Sequence, residues 1–99
     1  MKTSDRIRAK LVSALMPTRL EIHDDSHRHA GHAGARPGGE SHFRLEIVSR
    51  SFAGQNRLAR QRLVYGLLAE ELRGNVHALQ LVTLTPEEDA GAPKKGSGA

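Results

Sequence analysis

Apolar positions along this 99-residue chain follow two rhythms, one of about 3.6 residues and one of two. Ile7, Leu11, Ala14 and Leu15 recur at helical spacing and predict an amphipathic first helix. Ser4 or Asp5 is placed to cap it, and Pro17 stops it, because a residue before proline is pushed out of the helical region. Arg19 to Asp24 alternate weakly around Leu20 and Ile22, which predicts a short strand. The stretch Asp25 to Glu40, rich in Gly, His and Ala and containing Pro37-Gly38-Gly39, has no periodicity and reads as a loop. At about sixteen residues it exceeds most connections in compact domains, which marks it as functional or mobile. Alternation then sharpens, with Phe43, Leu45 and Ile47 facing one way and His42, Arg44 and Glu46 the other. Two strands around one loop make a β-hairpin with a long tip.

Phe52-Ala53-Gly54 turns the chain into a helical region over Arg57 to Arg73, whose buried stripe is Leu63, Val64, Leu67, Leu68 and Leu72. Its start reads as a separate short turn, since Leu58 and Arg60 fit the stripe less well, and Gly74 supplies the stop. Val76 to Leu84 predict a last strand, with Leu79 and Leu81 on one face and, by the same parity, His77 at its head. Pro86 ends that strand. Residues 1–88 form one domain, and the polar tail 89–99 is expected to be disordered. The order is helix, strand, strand, helix, strand. An α+β fold with a three-stranded sheet covered by helices on one face would bury every stripe.

Composition narrows the chemistry. Aromatic content is 3%, limited to Phe43, Phe52 and Tyr65, so the core is aliphatic and a base-stacking platform is disfavoured. Cysteine is absent, which excludes disulfides, a thiol nucleophile and any zinc or iron–sulfur site built from this chain's own thiolates. No signal-peptide pattern and no run of ~20 apolar residues is present, so a cytoplasmic protein without a membrane partner is expected. The net charge of +4 leans toward anionic partners.

Six histidines are the compositional feature most in need of an explanation. His27, His29 and His32 cluster in the loop, spaced so that flexible backbone can bring them onto one cation; the bland alternative is three solvated rings. His77 stands at the head of an otherwise apolar strand, either as a half-buried strand residue or as a ligand needing a partner from elsewhere. Arg44, Arg50, Arg57, Arg60 and Arg62 face a single acid, Glu46, over residues 44–62. Bases at the start of the second helix and Glu70-Glu71 near its end oppose the helix dipole, which fits either an anionic partner or a solvated basic face. Glu70-Glu71 and Glu87-Glu88-Asp89 read as solvated. No Ser/His/Asp arrangement, phosphate loop or carboxylate pair at helical spacing is present, so an enzyme is not expected.

Five short motifs in order carry a resemblance: Ser26-His27-Arg28-His29, Glu40-Ser41-His42-Phe43, Phe52-Ala53-Gly54, Leu68-Ala69-Glu70-Glu71-Leu72, and Val76-His77-Ala78-Leu79 with Thr85-Pro86-Glu87-Glu88. Together, over about residues 4 to 88, they resemble the BolA-like proteins. The resemblance implies a type II KH-like topology, α-β-β-α-α-β, with a three-stranded mixed sheet. It implies a monothiol glutaredoxin partner and a shared [2Fe–2S] cluster, to which the glutaredoxin and glutathione each give a cysteine. This chain would give His77 and a loop imidazole, His29 by position, with His27 and His32 as alternatives. No cluster is expected in the isolated chain, which would be a monomer or weak homodimer. The resemblance also implies a transcriptional regulator of morphology and stress genes that contacts double-stranded DNA through the region from Phe52 into the second helix. Arg50, Arg57, Arg60 and Arg62 are the candidate contacts there, and the clustering of Arg50, Arg60 and Arg62 also suits docking of acidic groups of the glutaredoxin or glutathione. Two departures stand out: Gln61 occupies the place of the family's histidine in Arg-His-Arg, and the loop is several residues longer than usual.

Overall fold

The structure, a computed structural model, describes residues 2–24, 42–74 and 76–91. The elements are α1 (Thr3–Leu15), β1 (Arg19–Asp24), β2 (His42–Val48), a 3-10 turn (Arg50–Phe52), α2 (Arg57–Leu67), α3 (Ala69–Arg73), β3 (Ala78–Leu84) and α4 (Pro86–Gly91). The α+β class, the mixed sheet and the order α-β-β-α-α-β are as expected, with α4 added. The sheet order is β1-β2-β3, with β1 antiparallel and β3 parallel to β2. A hairpin supplies the first pairing; α2 and α3 are the crossover that a parallel pairing requires.

One face of the sheet carries the core. Phe43, Leu45 and Ile47 of β2 meet Ile7, Leu11 and Leu15 of α1 and Val64 and Leu68 from the crossover, with Phe52 and Val76 completing the cluster. All are almost fully buried, and each large aliphatic or aromatic side chain contributes roughly 1.5–3 kcal/mol by leaving water. On the opposite face Arg19, Glu21 and His23 of β1 lie beside Arg44 and Glu46 of β2 and exposed Gln80 and Val82 of β3.

Four boundaries differ from the sequence reading, among them the start of β3 at Ala78 rather than Val76. Helix α1 starts at Thr3, with Lys2 in the cap position and no side-chain cap bond, rather than after Ser4 or Asp5. Thr3 lies in line with Ile7 and Leu11 and is itself buried, so packing sets this start. In the second helical region the break falls at Leu68, not at the beginning: Asn56 Oδ1 caps α2 by accepting from Ala59 N–H at 2.8 Å. Gly66, a poor helix former, sits just before that break. The chain also stays ordered past residue 88. Thr85 Oγ1 accepts from Glu88 N–H (3.1 Å) while a Glu88 carboxylate oxygen accepts from Thr85 N–H (2.9 Å), and Pro86 fills the first helical position. This reciprocal capping box nucleates α4 through Gly91, correcting the expected start of the tail at residue 89 and the reading of Glu88 and Asp89 as solvated. Residues 92–99 lie outside the described residues.

Helix α1 ends on Met16, a residue 79% exposed that takes a left-handed conformation (φ 43°, ψ 58°). A side chain there is strained, whereas glycine is not. Met16→Gly is therefore expected to stabilise the fold by up to about 1 kcal/mol, after the greater freedom of glycine in the unfolded chain is offset. Thermal melting checks this: the midpoint should rise by a few degrees, and a lower midpoint would contradict it.

Candidate functional site

The register gives the sheet two distinct ends. At one, Asp24 closes β1 opposite Phe43, and His42 opens β2 opposite Ala78 of the parallel strand. Asp24 and His42, the described residues that flank 25–41, therefore both lie at the end where β3 begins. His77 stands immediately before Ala78, and it is exposed. The expected parity with Leu79 and Leu81 does not carry it under the sheet. The strand starts only at Ala78, and Val76, 4% exposed, takes the buried place instead. Val76 N–H donates to the Glu71 carbonyl at 3.0 Å, so the residue preceding His77 is tied to α3. An exposed imidazole on a fixed backbone can take a metal without unfolding anything. His27, His29 and His32 lie outside the described residues. His42, which the sequence reading did not weigh as a ligand, is half-buried at the same end; only the sheet pairing reveals that proximity.

The opposite end gathers the carboxy-terminal ends of β2 and β3, the 3-10 turn, the start of α2 and α4. Ser49, fully buried, donates through Oγ to the Leu15 carbonyl (2.7 Å), and its N–H donates to the Leu84 carbonyl (2.9 Å). Arg60 is the centre of this end. Its guanidinium donates to the carbonyls of Gln55 (2.8 Å) and Thr83 (3.0 Å), forks onto Glu88 at 2.7 and 3.2 Å, and lies 5.7 Å from the Phe52 ring centroid. With Arg60 buried and so engaged, it is withdrawn from the expected nucleic-acid or partner contacts. Arg50, Arg57 and Arg62 are exposed. Because Arg60 meets Thr83, α2 begins near the far end of β3, roughly 20 Å from His77 for a seven-residue strand. The start of this basic region is therefore a strand length away from His77, which separates the two groups that the sequence reading joined around one partner.

Glu88 gains from the same network. The Arg60 guanidinium, and then the Thr85 N–H, hold its carboxyl down at about 2, against an ordinary value of 4.5. A carboxyl lowered in the folded state adds stability that is complete above the unfolded value and lost as pH falls through the folded one. Melting temperature should accordingly drop between about pH 4.5 and 2, and Glu88→Gln should flatten that part of the curve. An unchanged slope in the variant would remove Glu88 from the account.

A third group lies on the open face. Glu21, His23 and Glu46 place one ligand atom each within 4.8 Å of one another. Both carboxylates already hold guanidinium groups: Arg19 bridges Glu21 (2.5 Å) and Glu46 (3.3 Å), and Arg44 sits 3.0 Å from the Glu46 oxygen that faces His23. Arg19 is fastened in turn to Asp89 of α4 at 2.8 Å. A cation would have to displace arginine, so this group is a salt-bridge network joining β1, β2 and α4.

The family model described as BolA-like protein matches residues 11–88. SufE-like protein 1, chloroplastic/mitochondrial, from Arabidopsis thaliana is 48% identical over 87 residues, covering 84% of this chain and 24% of that protein. The DNA-binding transcriptional regulator BolA of Escherichia coli is 46% identical over 88 residues, covering 89% of this chain and 80% of that one. The solved structure of BolA1 from Arabidopsis thaliana superposes with a TM-score of 0.78 at 43% identity, covering 89% of this chain and 96% of that one. The chain thus spans about a quarter of the length of SufE-like protein 1 and most of the E. coli regulator. Among the described residues no helix is long and apolar enough to cross a membrane.

Proposed function

Because this chain belongs to the BolA-like family, we propose that it is a binding and regulatory protein that joins a monothiol glutaredoxin through a bridging [2Fe–2S] cluster. The observation carrying this reading is the exposed His77 at the sheet end where both anchors of the loop lie. The donor set fits. A chain without cysteine offers imidazole nitrogens, and His77 needs no rearrangement to reach outward. With His29 (or His27 or His32) it would take two ligand positions, leaving thiolates to the glutaredoxin and glutathione. Imidazole in place of thiolate makes such a cluster less anionic and raises its potential. The chain's own part is to present the rings, not to catalyse. Titrating the protein into a cluster-loaded monothiol glutaredoxin and following visible circular dichroism tests the reading. A new spectrum saturating at one equivalent supports it, and a spectrum that stays that of the glutaredoxin alone overturns it.

A second reading rests on exposed Arg50, Arg57 and Arg62 and on a relative whose name states DNA binding. Double-stranded DNA would then lie along the start of α2, phosphates displacing their counterions for guanidinium groups. Affinity should fall steeply with salt, and Arg57→Ala and Arg62→Ala should each reduce the salt slope by about 1. Fluorescence anisotropy with duplex DNA reads this, and binding indifferent to both substitutions would exclude these contacts.

A further inference from the structure

We propose that Glu71 is the positioning residue that sets the reach of His77, an inference resting on the reading of His77 as an iron ligand. Glu71 acts through side chain and backbone at once. Its carboxylate, 1% exposed, lies 2.9 Å from Lys10 Nζ and 3.3 Å from an Arg6 guanidinium nitrogen. Arg6 and Lys10 are one turn apart on α1, so a single helix face grips the carboxylate from two sides. Lys10 also reaches Glu70 at 2.7 Å, and the two acids, Glu70 first, raise its affinity for the proton, so its ammonium stays charged. The Glu71 carbonyl meanwhile accepts from the N–H groups of Gly74 (3.1 Å) and Val76 (3.0 Å).

The consequence for His77 follows from the chain order. Val76 is held twice, by its side chain in the core and by its N–H on Glu71. Ala78 enters the sheet opposite His42. His77 sits between two fixed residues, and the placement of the first is inherited from the position of Glu71 against α1. The pairing is not the cheapest way to pack this contact. The Glu71 oxygen that faces Arg6 at 3.3 Å is buried and ion-paired without an aligned hydrogen bond, so part of its desolvation stays uncompensated, which a well-packed apolar side chain would avoid. The ion pair gives α3 one orientation where apolar packing tolerates several. A ligand held to within a fraction of an ångström needs that.

The test uses the full chain with two variants, Glu71→Gln and Lys10→Met, the second leaving α3 untouched should the first fail to fold. Amide hydrogen exchange and titration into a cluster-loaded monothiol glutaredoxin are both read. The expected result is exchange faster by about tenfold at Gly74 and Val76, with Leu45 and Ile47 of β2 keeping wild-type protection. Affinity for the loaded glutaredoxin should fall by roughly tenfold or more. Faster exchange spread evenly over the sheet would mean that Glu71 only stabilises, and wild-type exchange and affinity in both variants would mean that it does neither; each overturns the inference alone. A wild-type chain that leaves the glutaredoxin spectrum unchanged overturns the iron-ligand reading itself.

Discussion

His77→Ala is expected to abolish the spectral change on mixing with a cluster-loaded monothiol glutaredoxin, while the melting temperature of the isolated chain stays at its wild-type value. The two halves of this result have separate causes. The His77 side chain is exposed and precedes β3, so its removal opens no cavity; substitutions at such positions usually stay within about 0.5 kcal/mol. Under the proposed ligand set, the substitution removes the one imidazole held on the sheet itself, next to Ala78, and no cysteine exists in the chain to take its place. Replacing His29, His27 and His32 one at a time by alanine then identifies the second ligand. A His77→Ala chain that still gives the wild-type spectrum would remove His77 from the ligand set, whatever its thermal behaviour.

Arg60→Ala is expected to show the reverse pattern, a large loss of stability. The substitution removes two hydrogen bonds to backbone carbonyls, the fork onto Glu88 and the cation–π contact with Phe52. The Thr83 and Gln55 carbonyls lose a charged donor at a part-buried site, and α4 loses a tie to α2. Hydrogen bonds to charged groups contribute about 1.5–3 kcal/mol each when the partner stays buried. Glu88 is half-exposed and returns to water, which lowers the total. A net loss of roughly 2–4 kcal/mol follows, a fall in melting temperature of about 10–25 °C for a domain of this size. Lysine should not rescue it, since an ammonium cannot reproduce the planar fork. An unchanged melting point would mean that Arg60 is free to serve as an external contact. Arg57→Ala, on an exposed side chain, is the matched control.

His77 and Arg60 also mark the limit of what is legible in the sequence alone. Period-two alternation in His42–Val48 gave both faces of β2 correctly, and the span of β1 was legible to the residue. The stripe of α1 was legible as well, except that Ala14 is exposed and Thr3 buried. The capping box Thr85-Pro86-Glu87-Glu88 carried its signal in plain view, yet three acids in a row look solvated unless the threonine three residues before Glu88 is counted with them. Arg60 gave the opposite signal. It interrupts an apolar stripe, and nothing local reveals that its partners arrive from residues 55, 83 and 88.

Local chemistry, acting within a few residues, was enough to determine α1, the three strands, the helical crossover, most of their apolar faces and the family motifs, but not α4 or the break at Leu68. Periodicity and turn residues report burial and backbone preference directly. What only the tertiary structure decided is which ends meet. The parallel register of β2 and β3 brings His77 to the anchors of the histidine loop and carries Arg50 and the start of α2 to the other end. Strand register and long side chains take their partners from distant sequence, so the placement of His77, Arg60 and Glu71 is a property of the packed sheet and not of any segment within it.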